Sequence, residues 1–145
     1  MSADMPLART VGIDFGTTNS VIALATGDGQ ADLVHFAAPD GISDVFRSAL
    51  CFWQDETSRT GLAHEAGPWA IAEFLQFPQD SRFLQSFKSV VANPNFEHAN
   101  LFEQRLRFEE LGRMFLDRLL AHSGDALRQL PDRIVVGCPV RYVGA

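Results

Sequence analysis

Two runs of β-branched and small apolar residues, TVGIDF at 10–15 and SVIALAT at 20–26, are separated only by Gly16-Thr17-Thr18-Asn19. Runs this short and this rich in Val and Ile favour strands, and so short a link makes them an antiparallel pair. A second break, Gly27-Asp28-Gly29, leads into QADLVHF, and its Asp-Gly pair suits a tight turn because both residues tolerate positive φ. The first 36 residues therefore predict a three-stranded antiparallel meander. Asp14 and a glycine-threonine turn lie together at one end of it.

Beyond the meander the pattern loosens. A strand is expected at 48–53, and HEAGPWAIAEFLQFP reads as a helix stopped by Pro78. In SRFLQSFKSVVANPN, the residues Phe83, Leu84, Phe87, Val90 and Val91 stand at helical spacing, with Asn93-Pro94 as the stop. Residues 97–122 admit two readings: one helix capped by Asn100 with Glu103 completing a capping box, or a strand LFEQRLR feeding a helix from near Phe108. Leu111, Met114, Phe115 and Leu119 share a helical face in both. IVVGCPV is the most strand-like run of the second half, and its β-branched residues fit burial on both faces. The chain has 145 residues and ends six past Pro139, just beyond this strand, which raises the expectation that it is part of a larger protein.

Composition narrows the function classes. A hydrophobic content of 46% with 21% charged residues is globular, not disordered. The net charge is −6 and the twelve Lys and Arg never gather into a basic run, which argues against a nucleic-acid partner. No run approaches the ~20 apolar residues that span a bilayer, and the N-terminus has no signal-peptide pattern, so no membrane partner is expected and the cytoplasm is the default. Cys51 and Cys138 then read as free thiols in or beside apolar strands. His35, His64, His98 and His122 lack the spacing and the acidic partners of a metal site, and Trp53, Trp69 and the twelve phenylalanines read as core.

The opening stretch carries the chemistry. A carboxylate closing a buried strand is costly unless something answers its charge, and a hydrated divalent cation is one answer for Asp14. Gly16 permits close backbone approach, and the turn through Thr17 and Thr18 offers converging N–H groups and hydroxyls to phosphate oxygens. The plain alternative is a hairpin turn whose amides bond Asp14. Neither a P-loop nor a dinucleotide fingerprint is present, since no Gly-Lys-Ser/Thr occurs and GIDFG runs into a strand instead of a helix.

VGIDFGTTNSVIALATGDG resembles the first phosphate motif of the Hsp70 chaperone family. FRSALCFW resembles that family's Pro-Ser-x-hydrophobic strand, and RFLQSFKSVV its active-site lysine segment, with the lysine at Lys88. LRFEELGRMFLDRLLAHSG and RIVVGCPVRY resemble the helix and strand returning to the first lobe, which favours the strand-then-helix reading of 97–122. The flavour is that of divergent bacterial YegD-like members. Pro139 is kept while its neighbours differ, which puts the relay of nucleotide state in doubt more than nucleotide binding.

The resemblance implies an α/β fold: the first lobe of an actin-like (ribonuclease H-like) ATPase, a mixed β-sheet with flanking helices, incomplete without a second lobe. It divides the chain into a core part at 1–37, an inserted peripheral part at 38–106 carrying Lys88, and a return to the core at 107–145. It further implies ATP/ADP and Mg2+ as ligands, with K+ a further candidate. Asp14 would hold the metal through water and orient the attacking water, Gly16, Thr17 and Thr18 would wrap the phosphates, and Lys88 would stabilise charge developing during hydrolysis. Unfolded peptide and co-chaperones would be partners through domains absent here. One lobe alone is expected to bind nucleotide weakly and to show negligible turnover. A sugar or polyol kinase of the same superfamily, and an actin-like filament subunit or nucleotide-gated scaffold, are the alternatives.

Overall fold

The computed structural model describes residues 9–91, 93, 95–127 and 131–137. The meander is there: β1 (Arg9–Phe15), β2 (Asn19–Thr26) and β3 (Ala31–Leu33) pair antiparallel in that order. Alternation along the pleat buries Val11, Ile13 and Ile22 and leaves Asp14 exposed.

β4 (Phe36–Ala38) and β5 (Gly41–Ser43) form a small hairpin, after which β6 (Phe46–Arg47) returns to the first residues of β2. One residue later the chain leaves that sheet and enters another, where β7 (Ala49–Gln54) is the centre strand between β8 (Leu62–Ala66) and β9 (Ser81–Gln85). α1 (Gly67–Gln76) packs against β7, β8 and β9, and α2 (Phe87–Val91) follows β9 directly. β10 (Ala99–Leu101) and β11 (Gln104–Leu106) form a hairpin that feeds α3 (Phe108–His122), which packs on β8 and ends in a 3-10 turn at Gly124–Leu127. Finally β12 (Arg133–Val136) lies parallel to β1, with Ile134 opposite Val11 and Val136 opposite Ile13. Its entry is pinned by Arg9 N–H donating to the Asp132 carboxylate at 2.8 Å and Asp132 N–H donating to the Arg9 carbonyl at 2.9 Å. The molecule is thus a mixed β-sheet, order β12-β1-β2-β3 with β6 on β2, accompanied by further small sheets and flanking helices.

Four expectations are corrected. His64, Glu65 and Ala66 belong to β8, not to the helix after it; Gly67, at φ 59°, breaks the strand, and Pro68 opens α1 where a missing N–H costs nothing. Residues 81–85 form a strand paired to β7, and helix begins only at Phe87, after Ser86 turns the chain at φ 51°. The strand-then-helix reading of 97–122 holds, but as two strands about a turn at Phe102 (φ 56°), and the cap of α3 is Arg107, whose N–H donates to Glu110 at 2.8 Å, in place of Asn100 and Glu103. Lastly, β12 is not buried on both faces, since Ile134, Val135 and Val136 are 60%, 51% and 53% exposed. Pro94, Cys138 and Pro139 lie outside the described residues.

The core is aromatic. Phe46 and Phe115 are fully buried with ring centres 5.6 Å apart, and Phe36, Phe52, Leu50 and Leu119 complete the interior. Cys51 is part of it, and burial pushes its thiol pKa up, as expected for a small core residue and not for a nucleophile. Trp69 lies flat on His122, ring centres 3.5 Å apart, and His122 in turn meets Glu65 at 2.8 Å. Among the described residues no group of three or more His, Cys, Asp or Glu could hold a metal, and no helix is long and apolar enough to cross a membrane.

His64 gives the fold a pH dependence. Its Nε2 is buried without a hydrogen-bond partner among the described residues, and burial, then the charge of Arg118, holds its pKa below the usual histidine range against the opposing pull of Glu65. A depressed folded-state pKa means that the unfolded chain binds the proton more readily. His64 therefore contributes stability above the ordinary histidine value of about 6.5, and that stability is lost as pH falls toward the lower folded value. Urea unfolding between about pH 7.5 and pH 5.5 should show a smaller loss of stability in His64→Phe than in the native chain. Equal losses would contradict this assignment.

Candidate functional site

The turn between β1 and β2 is built around one glycine. Gly16 N–H donates to the Asn19 carbonyl at 3.1 Å, closing the turn, and a Cβ on Gly16 would come within 2.3 Å of that same oxygen. Only glycine fits. Thr17 and Thr18 are exposed, and among the described residues their backbone N–H groups have no acceptor. Successive backbone N–H groups in a turn are a feature that anion-binding concavities share.

Lys88 arrives from elsewhere. It sits in the first turn of α2, half-buried, and its Nζ donates to the Phe15 carbonyl across 73 residues of sequence. The ammonium also lies 5.1 Å from the centre of the Phe15 ring. The rings beneath explain why it reaches this point: Phe87 and Phe15 are 5.6 Å apart, and both rest on Phe115, at 5.6 and 5.0 Å. The Lys88 ammonium is thereby held at the residue between Asp14 and Gly16.

Asp14 departs from the expectation in one respect. It is exposed, so no desolvation has to be answered, and among the described residues its carboxylate accepts no hydrogen bond, from the turn amides or from anything else. The turn is the hairpin of the plain reading, closed by Gly16 and Asn19, but among the described residues Asp14 does not tie it down. The carboxylate faces the end of β12, where Gly137 N–H donates to the Ile13 carbonyl at 2.9 Å and a Cβ on Gly137 would stand 3.7 Å from Asp14 Oδ1.

The structure thus brings Asp14, Gly16, Thr17, Thr18 and Lys88 to one end of the first sheet. It adds residues to which the sequence reading gave no role. Ser48 is 1% exposed; its Oγ donates to the Gly16 carbonyl at 2.7 Å and its N–H to the Thr18 carbonyl at 2.8 Å. Ser20, fully buried, meets the Ser48 hydroxyl at 2.8 Å. The available signal was a lone serine inside the apolar run FRSALCFW, a polar group that burial obliges to find partners. A separate cavity of about 590 Å³ is lined by Glu97, His98, Arg105 and Arg107 and shares no residue with this site.

No family model matches the chain, and no curated protein matches it.

Proposed function

We propose that the chain is the first lobe of an actin-like ATPase of the Hsp70 type, which binds the phosphates of Mg-ATP at the turn between β1 and β2. The observation that carries this reading is the meeting of Lys88 with the Phe15 carbonyl, beside the Asp14 carboxylate and the Thr17 and Thr18 amides, none of which has a partner among the described residues.

The donor set suits the ligand. Thr17 and Thr18 can give their N–H groups to phosphate oxygens, and Gly16 lets those oxygens approach the backbone. Lys88 can exchange its carbonyl for a phosphate oxygen, because a charge-assisted bond is stronger than one to a neutral acceptor. Asp14, exposed and without a partner among the described residues, suits a Mg2+ held through water, with K+ a further candidate. The metal supplies charge neutralisation to the phosphates. In this reading Asp14 would also orient a water, whose oxygen would attack the terminal phosphorus as the bond to ADP breaks, giving ADP and phosphate. A second lobe would complete the cleft, and in the complete protein the cycle would drive a chaperone acting on unfolded peptide with its co-chaperones in the cytoplasm.

Lys88→Met keeps the apolar stem and removes the charge. A hydrogen bond to a charged group contributes about 1.5–3 kcal/mol, so Mg-ATP affinity should fall about 10- to 100-fold by equilibrium titration, with the unfolding midpoint little changed. Equal affinity in the two proteins would contradict the role given to Lys88.

A further inference from the structure

Ser48 lies at the single residue where the chain passes from β6, in the first sheet, to β7, in the second. Three of its groups bond at this crossing. Its hydroxyl and its N–H hold the Gly16 and Thr18 carbonyls, and its own carbonyl accepts from Ser86 N–H at 3.3 Å. Ser86 is the residue that turns the chain into α2, two positions before Lys88. One buried residue therefore touches both halves of the site. We propose that Ser48 is a positioning residue, whose hydroxyl aims the Thr17 amide outward while its backbone groups tie the turn to the segment that leads into Lys88; its consequence for phosphate binding rests on the function proposed above.

The aiming follows from peptide geometry. In a planar trans peptide the C=O and the N–H of the next residue point in opposite directions. With the Gly16 carbonyl drawn inward to the Ser48 hydroxyl, the Thr17 N–H must point away from the core. Thr17 is exposed and its N–H has no acceptor among the described residues, as this requires. The hydroxyl has one proton, and it is given to Gly16. Ser20 must therefore be the donor in the contact between the two serines, and its bond to the Ser48 oxygen polarises the hydroxyl toward Gly16. Without the Ser48 hydroxyl, the peptide joining Gly16 to Thr17 loses its inward anchor and is free to rotate.

The test compares Ser48→Ala with Ser81→Ala in the full chain. Ser81 is an equally buried serine whose hydroxyl donates to the Phe77 carbonyl at 2.7 Å, outside the site. Amide hydrogen exchange in the absence of ligand should accelerate about tenfold or more at the Gly16 N–H in Ser48→Ala, beyond any change shared by the whole chain, and should not do so in Ser81→Ala; the Ser86 N–H, held by the backbone carbonyl of residue 48, should keep its protection in both. Titration with Mg-ATP should then show a smaller shift of the Thr17 amide and about fivefold or greater loss of affinity in Ser48→Ala only. Unchanged exchange at Gly16, or equal acceleration there in the two variants, would overturn the assignment. Local acceleration in Ser48→Ala, combined with no Mg-ATP response in the native chain, would instead uphold Ser48 as the anchor and reject the nucleotide reading.

Discussion

Truncation of Phe115 to alanine is expected to lower the free energy of unfolding by about 3–5 kcal/mol, a large share of the 5–15 kcal/mol typical of a domain. The ring is fully buried and is the common neighbour of three others, stacked on Phe15 at 5.0 Å and edge-on to Phe46 and Phe87 at 5.6 Å each. Its removal leaves a cavity that these rings, fixed to β1, β6 and α2, cannot fill by a small shift. The effect should reach the site as well. Phe15 carries the carbonyl that receives Lys88, and Phe87 precedes Lys88, so the floor under both is the same side chain. Denaturant unfolding measures the loss directly. A change below about 1 kcal/mol would mean that the four rings do not form the packed floor described here.

A comparably large effect is expected from adding a single methyl group at Gly67. Its φ of 59° costs an L-residue about 1–2 kcal/mol, and overpacking a core adds about 1–3 kcal/mol, so Gly67→Ala should destabilise by about 2–5 kcal/mol. The new Cβ would lie 2.4 Å from Cε1 of Phe46, a fully buried ring hemmed in by Phe36 at 5.0 Å and Phe115 at 5.6 Å. The same exchange at Gly112 is the control. That glycine lies within α3 with nothing within 4 Å of an added Cβ, so Gly112→Ala should stabilise by about 1 kcal/mol through helix propensity. Thermal unfolding of the two variants should therefore move in opposite directions, and movement in the same direction would contradict the described geometry at Gly67.

What could be read from the sequence was local. β1 and β2 are legible because alternation, β-branching and a glycine turn agree over the same residues, and no distant partner is needed to decide them. The α3 face is legible for the same reason, with Leu111, Phe115 and Leu119 buried as their spacing requires. The stretch around Lys88 is different. Phe83, Leu84 and Phe87 satisfy a helical period, yet Ser81–Gln85 is a strand because β7 offers it a partner, from Ser81 opposite Trp53 to Gln85 opposite Ala49. Periodicity does not register a partner thirty residues away. Of the site, Asp14, Gly16, Thr17 and Thr18 follow from one short motif, whereas the place of Lys88 rested on resemblance and is seen only through its bond to Phe15. Ser48 escaped notice because its importance lies in joining two sheets, a property of topology and not of its neighbours in the chain. Asp14 ends a strand whose Val11 and Ile13 are buried, yet it is itself exposed, and among the described residues its carboxylate has no partner.

Under the proposed function, the turn between β1 and β2, together with Lys88, receives the phosphates of a magnesium nucleotide. The most direct measurement is a residue-resolved amide-shift titration of the native chain with Mg-ATP, since it locates even weak binding. Saturable, magnesium-dependent shifts centred on Gly16, Thr17, Thr18 and Lys88 are the predicted result. Shifts centred on the cavity lined by Glu97, His98, Arg105 and Arg107, or no saturable shift at all, would contradict it.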